Sequence, residues 1–212
     1  MTASAPPPPP AARRGRPRSF DRAAALRAAT LLFWRHGYEG TSIADLTRAM
    51  GISPPSLYAA FGDKRSLFSE IVADYGREWG AELWAAWSGP VDARSAFAGI
   101  LRAAARSYTD PAHPGGCLVI SAAVSCGPGA TAVEEELRAV RVGNREVLEE
   151  RLRAAEAAGE LPAGADPRTL AVYFAGVVQG MSQQARDGAG RAELERMAEL
   201  AMAVWPTGAT ED

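Results

Sequence analysis

The sequence predicts an all-α protein, and three observations carry that expectation. Hydrophobic residues make up 47% of the 212 and charged residues 23%, a globular balance with enough chain for one large domain or two smaller ones. Ala, Arg, Leu and Glu are abundant while β-branched residues are few, which favours helix over sheet. Apolar residues recur at spacings of three and four over most of the chain, in stretches separated by clusters of Gly and Pro. No stretch reads as a strand and no internal repeat is found.

Residues 1–18 lie outside this pattern. Five consecutive prolines, residues 6–10, favour extended polyproline geometry and cannot pack a core. Arg13, Arg14, Arg16 and Arg18 follow as a basic arm, so 1–18 is expected to be disordered, with Ser19 capping the start of the folded chain. Leu26, Ala29 and Phe33, with Leu32, mark one face of a first helix that Gly37 stops. Ile43, Leu46 and Met50 mark a short second helix, opened by Ser42 with Asp45 three residues on, an acidic variant of the capping box. Gly51 breaks it, and Ser53-Pro54 restart the chain as N-cap and first residue of a third helix with Leu57 and Phe61 inward. A fourth helix starts at Lys64, carries Leu67, Phe68, Ile71, Tyr75 and Trp79, and keeps its pattern as far as Trp87. Further helices are expected over 93–108, 117–126, 131–158, 167–186 and 192–204, the 167–186 helix opened by Asp166 and Pro167.

Charge divides the chain. Residues 1–70 hold ten Arg and Lys against five Asp and Glu, and residues 71–212 hold thirteen against twenty, for an overall charge of −2. A basic first third on an acidic remainder points one end at a polyanion. Cys117 and Cys126, nine residues apart, would lie on nearly opposite faces of one helix, too far for a disulfide, which fits a reducing, cytoplasmic setting. No uncharged helical stretch reaches the ~20 apolar residues that a membrane span needs, and residues 5–18 are not the apolar run of a signal peptide, so no membrane partner is expected.

Catalysis finds no support. There is no nucleophile elbow, phosphate loop, zinc motif or dinucleotide fingerprint, so no catalytic residue, cofactor or metal site is expected. His36 and His113 read as structural. Cys117 and Cys126 read as small buried residues, with a thiol-responsive role as the alternative. Glu134, Glu135, Glu136, Glu149 and Glu150, with Arg138, Arg141, Arg145 and Arg153, read as solvated faces paired at three- and four-residue spacing.

Residues 42–61 fit a helix-turn-helix, two short helices around Gly51 held together by Ile43, Leu46, Ile52 and Leu57. Such a unit lays its second helix in the DNA major groove while the first braces it across the backbone. The stretch 15–68 resembles the DNA-binding domain of the TetR family of transcriptional regulators. The resemblance rests on an apolar helix ending in His36-Gly37-Tyr38, then Thr41-Ser42-Ile43, Met50-Gly51-Ile52-Ser53, Leu57-Tyr58, Phe61, Lys64 and Leu67-Phe68, in the family's order and spacing. The rest of the chain is similar only in being a helical bundle.

The resemblance implies a homodimer, a ligand pocket in the C-terminal bundle, and a double-stranded palindromic operator that is released when ligand binds. The division expected is a DNA-binding domain over 19–65, a ligand-binding and dimerisation domain over 66–205, and a tail over 206–212. Carried over by position, the recognition helix is 54–61, and Tyr58, Lys64 and either Thr41 or Ser42 contact phosphates. Pro54 and Pro55 lack amide hydrogens, so Ser53, Pro55 and Ser56 must read bases through Ser56 and apolar contact, with Arg14 and Arg16 reaching the minor groove. Thr47 stands where the family usually has alanine, and its hydroxyl is expected to bond the carbonyl four residues back.

The fourth helix borders the ligand cavity in this family. Trp79, Leu83 and Trp87 share a helical stripe with Trp84 beside it, and Phe97, Leu101, Tyr108, Phe174, Val178 and Met181 are the expected companions around a largely apolar or aromatic effector. A continuous rod over 64–87, about 24 residues and ~36 Å long, would carry a tilt at the tryptophans to the reading head. Phe174, Gly176, Val177 and Gly180, with Leu194, Met197, Ala201 and Val204, form the expected four-helix dimer interface. The rival readings are a helical protein-interaction module without DNA binding and a small helical enzyme.

Overall fold

Local capping sets the first helices. In the computed structural model, which describes residues 20–89, 92–124 and 126–207, α1 (Arg22–His36) is capped by the Asp21 carboxylate, which accepts from the Ala24 N–H at 3.1 Å. Asp21 thus takes the role expected of Ser19, which lies outside the described residues. Gly37 ends α1 at φ 74°, and a Cβ there would lie 3.0 Å from the Ala122 carbonyl oxygen, so glycine serves both the turn and the close approach. α2 (Ile43–Met50) opens with the expected box: the Asp45 N–H donates to the Ser42 hydroxyl at 3.1 Å and the Ser42 N–H to the Asp45 carboxylate at 3.2 Å. The Thr47 hydroxyl donates to the Ile43 carbonyl at 2.9 Å, which satisfies it inside the helix contact. α3 (Pro54–Phe61) is capped by Ser53.

Two elements differ from the sequence pattern. α4 (Lys64–Glu78) stops well short of Trp87, and a separate helix, α5 (Ala81–Trp87), follows. The Tyr75 carbonyl accepts from both Trp79 and Gly80, at 2.9 and 3.2 Å, and a Cβ on Gly80 would sit 2.8 Å from the Gly76 carbonyl. Glycine therefore permits a break that periodicity runs straight across, and the single rod becomes two pieces, α4 spanning ~22 Å. The helix expected over 117–126 shrinks to one turn, α7 (Leu118–Ser121), which follows α6 (Ala93–Tyr108). Here the Ala122 carbonyl accepts from the Tyr38 N–H at 2.9 Å, and the Gly127 N–H donates to Glu39 at 3.0 Å, so the segment is drawn to the α1–α2 turn. α8 (Thr131–Ala157), α9 (Pro167–Arg186) and α10 (Arg191–Met202) complete the fold, and no strand occurs among the described residues.

Two apolar cores result. The first gathers Phe33, Trp34, Leu46, Leu57, Phe61, Leu67, Phe68 and Ile71 from α1–α4, and is closed by Leu118 and Val119 of α7 and Val133 and Leu137 of α8. The second gathers Trp87, Phe97, Leu101, Leu152, Phe174, Met181, Leu194 and Trp205. The division expected at 65/66 falls inside α4, whose Leu67, Phe68 and Ile71 belong to the first core. No described helix is long and apolar enough to cross a membrane.

Candidate functional site

α3 turns Leu57 and Phe61 inward, and the helical period then sends Pro55, Tyr58 and Ala59 outward. Tyr58 is 51% exposed although its ring is large and apolar, which suits a hydroxyl that meets a phosphate. The Ser53 and Ser56 hydroxyls share a hydrogen bond of 2.8 Å beside Pro54 and Pro55, so the start of α3 presents hydroxyls rather than amide donors. Ser42 is exposed at the cap of α2. Thr41 departs from its expected role: it is 1% exposed and its hydroxyl donates to the Gly37 carbonyl at 2.7 Å, so its side chain closes the α1–α2 turn. Arg14 and Arg16 lie outside the described residues.

Lys64, the first residue of α4, holds its ammonium 4.3 Å from the centre of the Tyr38 ring. Tyr38 is itself wedged between Phe33, stacked at 6.0 Å, and Phe68, edge-on at 5.1 Å. Partial burial lowers the Lys64 pKa while Glu39 opposes that shift. A fixed cation therefore stands at a helix N-terminus, where the backbone adds its own positive end. The placing of Lys64 by Tyr38 has no signal in local sequence, because 26 residues separate the pair. Lys64→Gln and Tyr58→Phe are each expected to weaken binding to all duplexes alike, and Lys64→Gln, which removes a cation, is also expected to flatten the salt dependence by ~0.9 log units. Ser56→Ala should instead change base preference. An unchanged salt slope for Lys64→Gln would remove Lys64 from the interface.

Behind α4 lies a cavity of about 220 Å³. Its walls come from Val72, Tyr75 and Trp79, from Leu83 and Trp84 of α5, from Ile100 and Tyr108 of α6, and from Cys117, Val119 and Ile120 around α7. Val140, Arg141, Asn144, Arg145 and Leu148 of α8 and Ala175, Val178 and Gln179 of α9 close it. Trp79, Leu83, Tyr108 and Val178, four of the residues expected to line a pocket, line this cavity. Trp87, Phe97, Leu101, Phe174 and Met181 do not: they fill the second core, where Phe97 meets Trp87 at 5.1 Å, Phe174 at 4.7 Å and Trp205 at 5.4 Å. The break at Trp79-Gly80 resets the helical phase, so Trp84 replaces Trp87 at the cavity wall.

The polar groups around this cavity are informative. The Tyr75 hydroxyl accepts from the Leu118 N–H at 3.2 Å, and burial pushes the phenols of Tyr75 and Tyr108 up, so both remain neutral. Burial also raises the Cys117 thiol, and burial with Glu39 and Glu134 raises that of Cys126. Both shifts favour the protonated thiol over the thiolate. His113 stacks on Trp34 at 4.4 Å and meets Trp79 edge-on at 5.3 Å, as a packing residue. Arg138 pairs with Glu135 on a solvated face, as expected, whereas Glu149, which pairs with Arg153, is buried and departs from that reading. Arg141 and Arg145 depart from it: they face the cavity, and Arg141 donates to the Val119 carbonyl at 2.9 Å.

α9 exposes Val172 and Tyr173, α10 exposes Leu200, and Val204 is exposed in the turn after α10. Gly176, Val177, Gly180 and Met197 lie at or beside this stripe, each at least partly exposed. Phe174, Leu194 and Ala201, expected at the same face, are buried in the chain's own second core, because α10 packs its Leu194–Ala198–Ala201 seam inward. A Cβ on Gly180 would meet the Met197 Cε at 3.3 Å, so the close approach there is to α10 of the same chain.

Residues 25–71 match the family described as bacterial regulatory proteins, tetR family, and residues 95–200 match the tetracyclin repressor-like C-terminal domain. The chain is 36% identical over 194 residues to the HTH-type transcriptional repressor ComR of Escherichia coli K12, covering 91% of this chain and 92% of that one. Among solved structures it is similar to a cysteine mutant of the TetR family transcriptional regulator CifR complexed with 26 bp double-strand operator DNA. That likeness has 42% identity and a TM-score of 0.86, over 91% of this chain and 100% of that one. A TetR transcriptional regulator from Chloroflexus aurantiacus is similar at 26% identity and a TM-score of 0.73, covering 86% and 92% of the two chains.

Proposed function

This chain belongs to the TetR family of DNA-binding transcriptional regulators, and from that premise we propose that it is a repressor, held on a palindromic operator as a homodimer and released by a small ligand. The observation that carries this reading is the position of one cavity against both α4, which begins at the reading head, and the α7 segment, which is hydrogen-bonded to the α1–α2 turn. A ligand acts on DNA only by favouring one arrangement of the head over another, and both walls lead to the head. Residues 19–65, with the first turns of α4, form that head, and the remainder holds the ligand and the partner protomer.

The outer face of α3, with Ser53, Pro55, Ser56 and Tyr58, enters the major groove, Ser42 and Lys64 hold phosphates, and Arg14 and Arg16 of the arm reach the adjacent minor groove. The exposed stripe of Val172, Tyr173, Leu200 and Val204 meets its own copy across a two-fold axis. The setting is the bacterial cytoplasm, where the operator is.

Selection of duplexes from a random pool by the full chain tests the reading. A pseudo-palindrome with half-sites ~34–36 Å apart, or a multiple of that, should be enriched, with two protomers bound per duplex. A cavity ligand should lower operator affinity with a coupling of ~1–3 kcal/mol and be recovered unchanged. No enriched duplex would leave the protein-interaction reading in its place, and consumption of the ligand would favour the enzyme.

A further inference from the structure

The cavity has two unlike sides. Trp79, Leu83 and Val178 make an apolar wall, whereas α8 presents Arg141 and Arg145 four residues apart, with Asn144 between them. Among the described residues that line the cavity there is no Asp or Glu. Like charges at this spacing repel on a helix, and a cation against an apolar wall is costly unless it is paired.

Glu134 favours the Arg141 cation through its charge, but neither arginine forms a contact ion pair among the described residues. Arg141 spends one N–H on the Val119 carbonyl, which fixes the guanidinium at the wall and leaves its other donors unused there. Its pKa is lowered, chiefly by burial, which marks a cation drawn out of water. Arg145 forms no ion pair among the described residues, while Arg138 and Arg153 on the same helix each have a glutamate.

We propose that the effector is a small organic acid, its apolar body against Trp79, Leu83 and Val178 and its carboxylate between Arg141 and Arg145. The proposal rests on the reading of this cavity as the effector site and adds to it the charge of the ligand. A guanidinium fork matches the two oxygens of a carboxylate, and one monoanion relieves the repulsion between the two cations. Size limits the rest of the molecule. An engineered apolar cavity of about 150 Å³ holds one benzene, so a space of about 220 Å³ suits a single ring, or an aliphatic chain of similar bulk, with a few further atoms.

Trp79 and Trp84 line the cavity, so tryptophan fluorescence of the full chain reports occupancy. The probes are benzoate, 3-phenylpropanoate and hexanoate, each titrated beside its own primary amide. At least one acid should bind ~10-fold or more tightly than its amide, the scale of one charge-assisted hydrogen bond. Arg145→Gln should abolish that preference by weakening the acid while leaving the amide affinity in place, which also shows that the variant is folded. Equal binding of acids and amides, no binding by any acid, or an Arg145→Gln variant with undiminished acid affinity would each overturn the proposal. The same acid is then added to the protein–operator complex: binding without release would overturn the effector reading and leave the acid site standing.

Discussion

Leu200→Glu is expected to give a folded monomer whose operator affinity is lower by about 10²–10⁴-fold, the range over which linking two binding modules raises avidity. Leu200 is 74% exposed, so its replacement removes no core contact and the protomer should keep its secondary structure. In a two-fold dimer the same residue enters the interface from both sides, so the substitution places two carboxylates in one apolar seam with Val172, Tyr173 and Val204. Sedimentation at micromolar concentration and mobility shift of the operator read the two consequences separately. Leu200→Gln, which is polar without charge, should show a smaller shift of the monomer–dimer balance. A variant that stays dimeric and binds operator normally would place the interface on another face.

Phe97→Ala is expected to destabilise the chain by ~3–5 kcal/mol, the usual cost of emptying a buried phenylalanine site, while ligand affinity at 25 °C stays within a factor of two or three. Phe97 is fully buried and its ring touches those of Trp87, Phe174 and Trp205, which come from three other parts of the chain. Trp79→Ala is the mirror case. Trp79 is only partly buried and forms cavity wall, although its ring also meets Trp34 and His113, so its loss should weaken ligand binding with a smaller loss of stability than Phe97→Ala. Thermal denaturation and ligand titration of the pair settle which aromatics are core. If Phe97→Ala lost ligand binding with its melting temperature unchanged, the cavity would have to extend into the second core.

What could be read in the sequence was what is decided within a few residues. The Ser42–Asp45 box, the Ser53-Pro54 start and the Asp166-Pro167 start are contacts between near neighbours, and the bounds of α2, α3 and α9 came out accordingly. Contacts that helical periodicity does not register, some long-range and some local, decided the rest. The helix expected over 117–126 is cut to one turn by a hydrogen bond from Tyr38 to Ala122, 84 residues along. Gly80 permits the break after α4, where a Cβ would meet the Gly76 carbonyl, and that break decides which tryptophan reaches the cavity. Arg141 and Arg145 sit in a charged helical pattern that reads as solvated until α7 and α9 are packed over it. Thr41 is polar and beside a cap, which reads as surface, yet the turn folds it inward.

The shared first core has a thermodynamic consequence. Leu118, Val119, Val133 and Leu137 complete the apolar packing beneath the reading head, so the head cannot come apart without exposing side chains of α7 and α8. Head and body are therefore expected to unfold as one cooperative unit, with a single calorimetric transition rather than two. Free energy from any ligand held by the body, RT ln(1 + [L]/Kd), accrues to the head as well, although no atom of the ligand touches it. An effector held in the cavity would then protect the recognition helices from unfolding while they are off DNA, and the amide protons of α2 and α3 should exchange more slowly in the ligand-bound protein than in the free one.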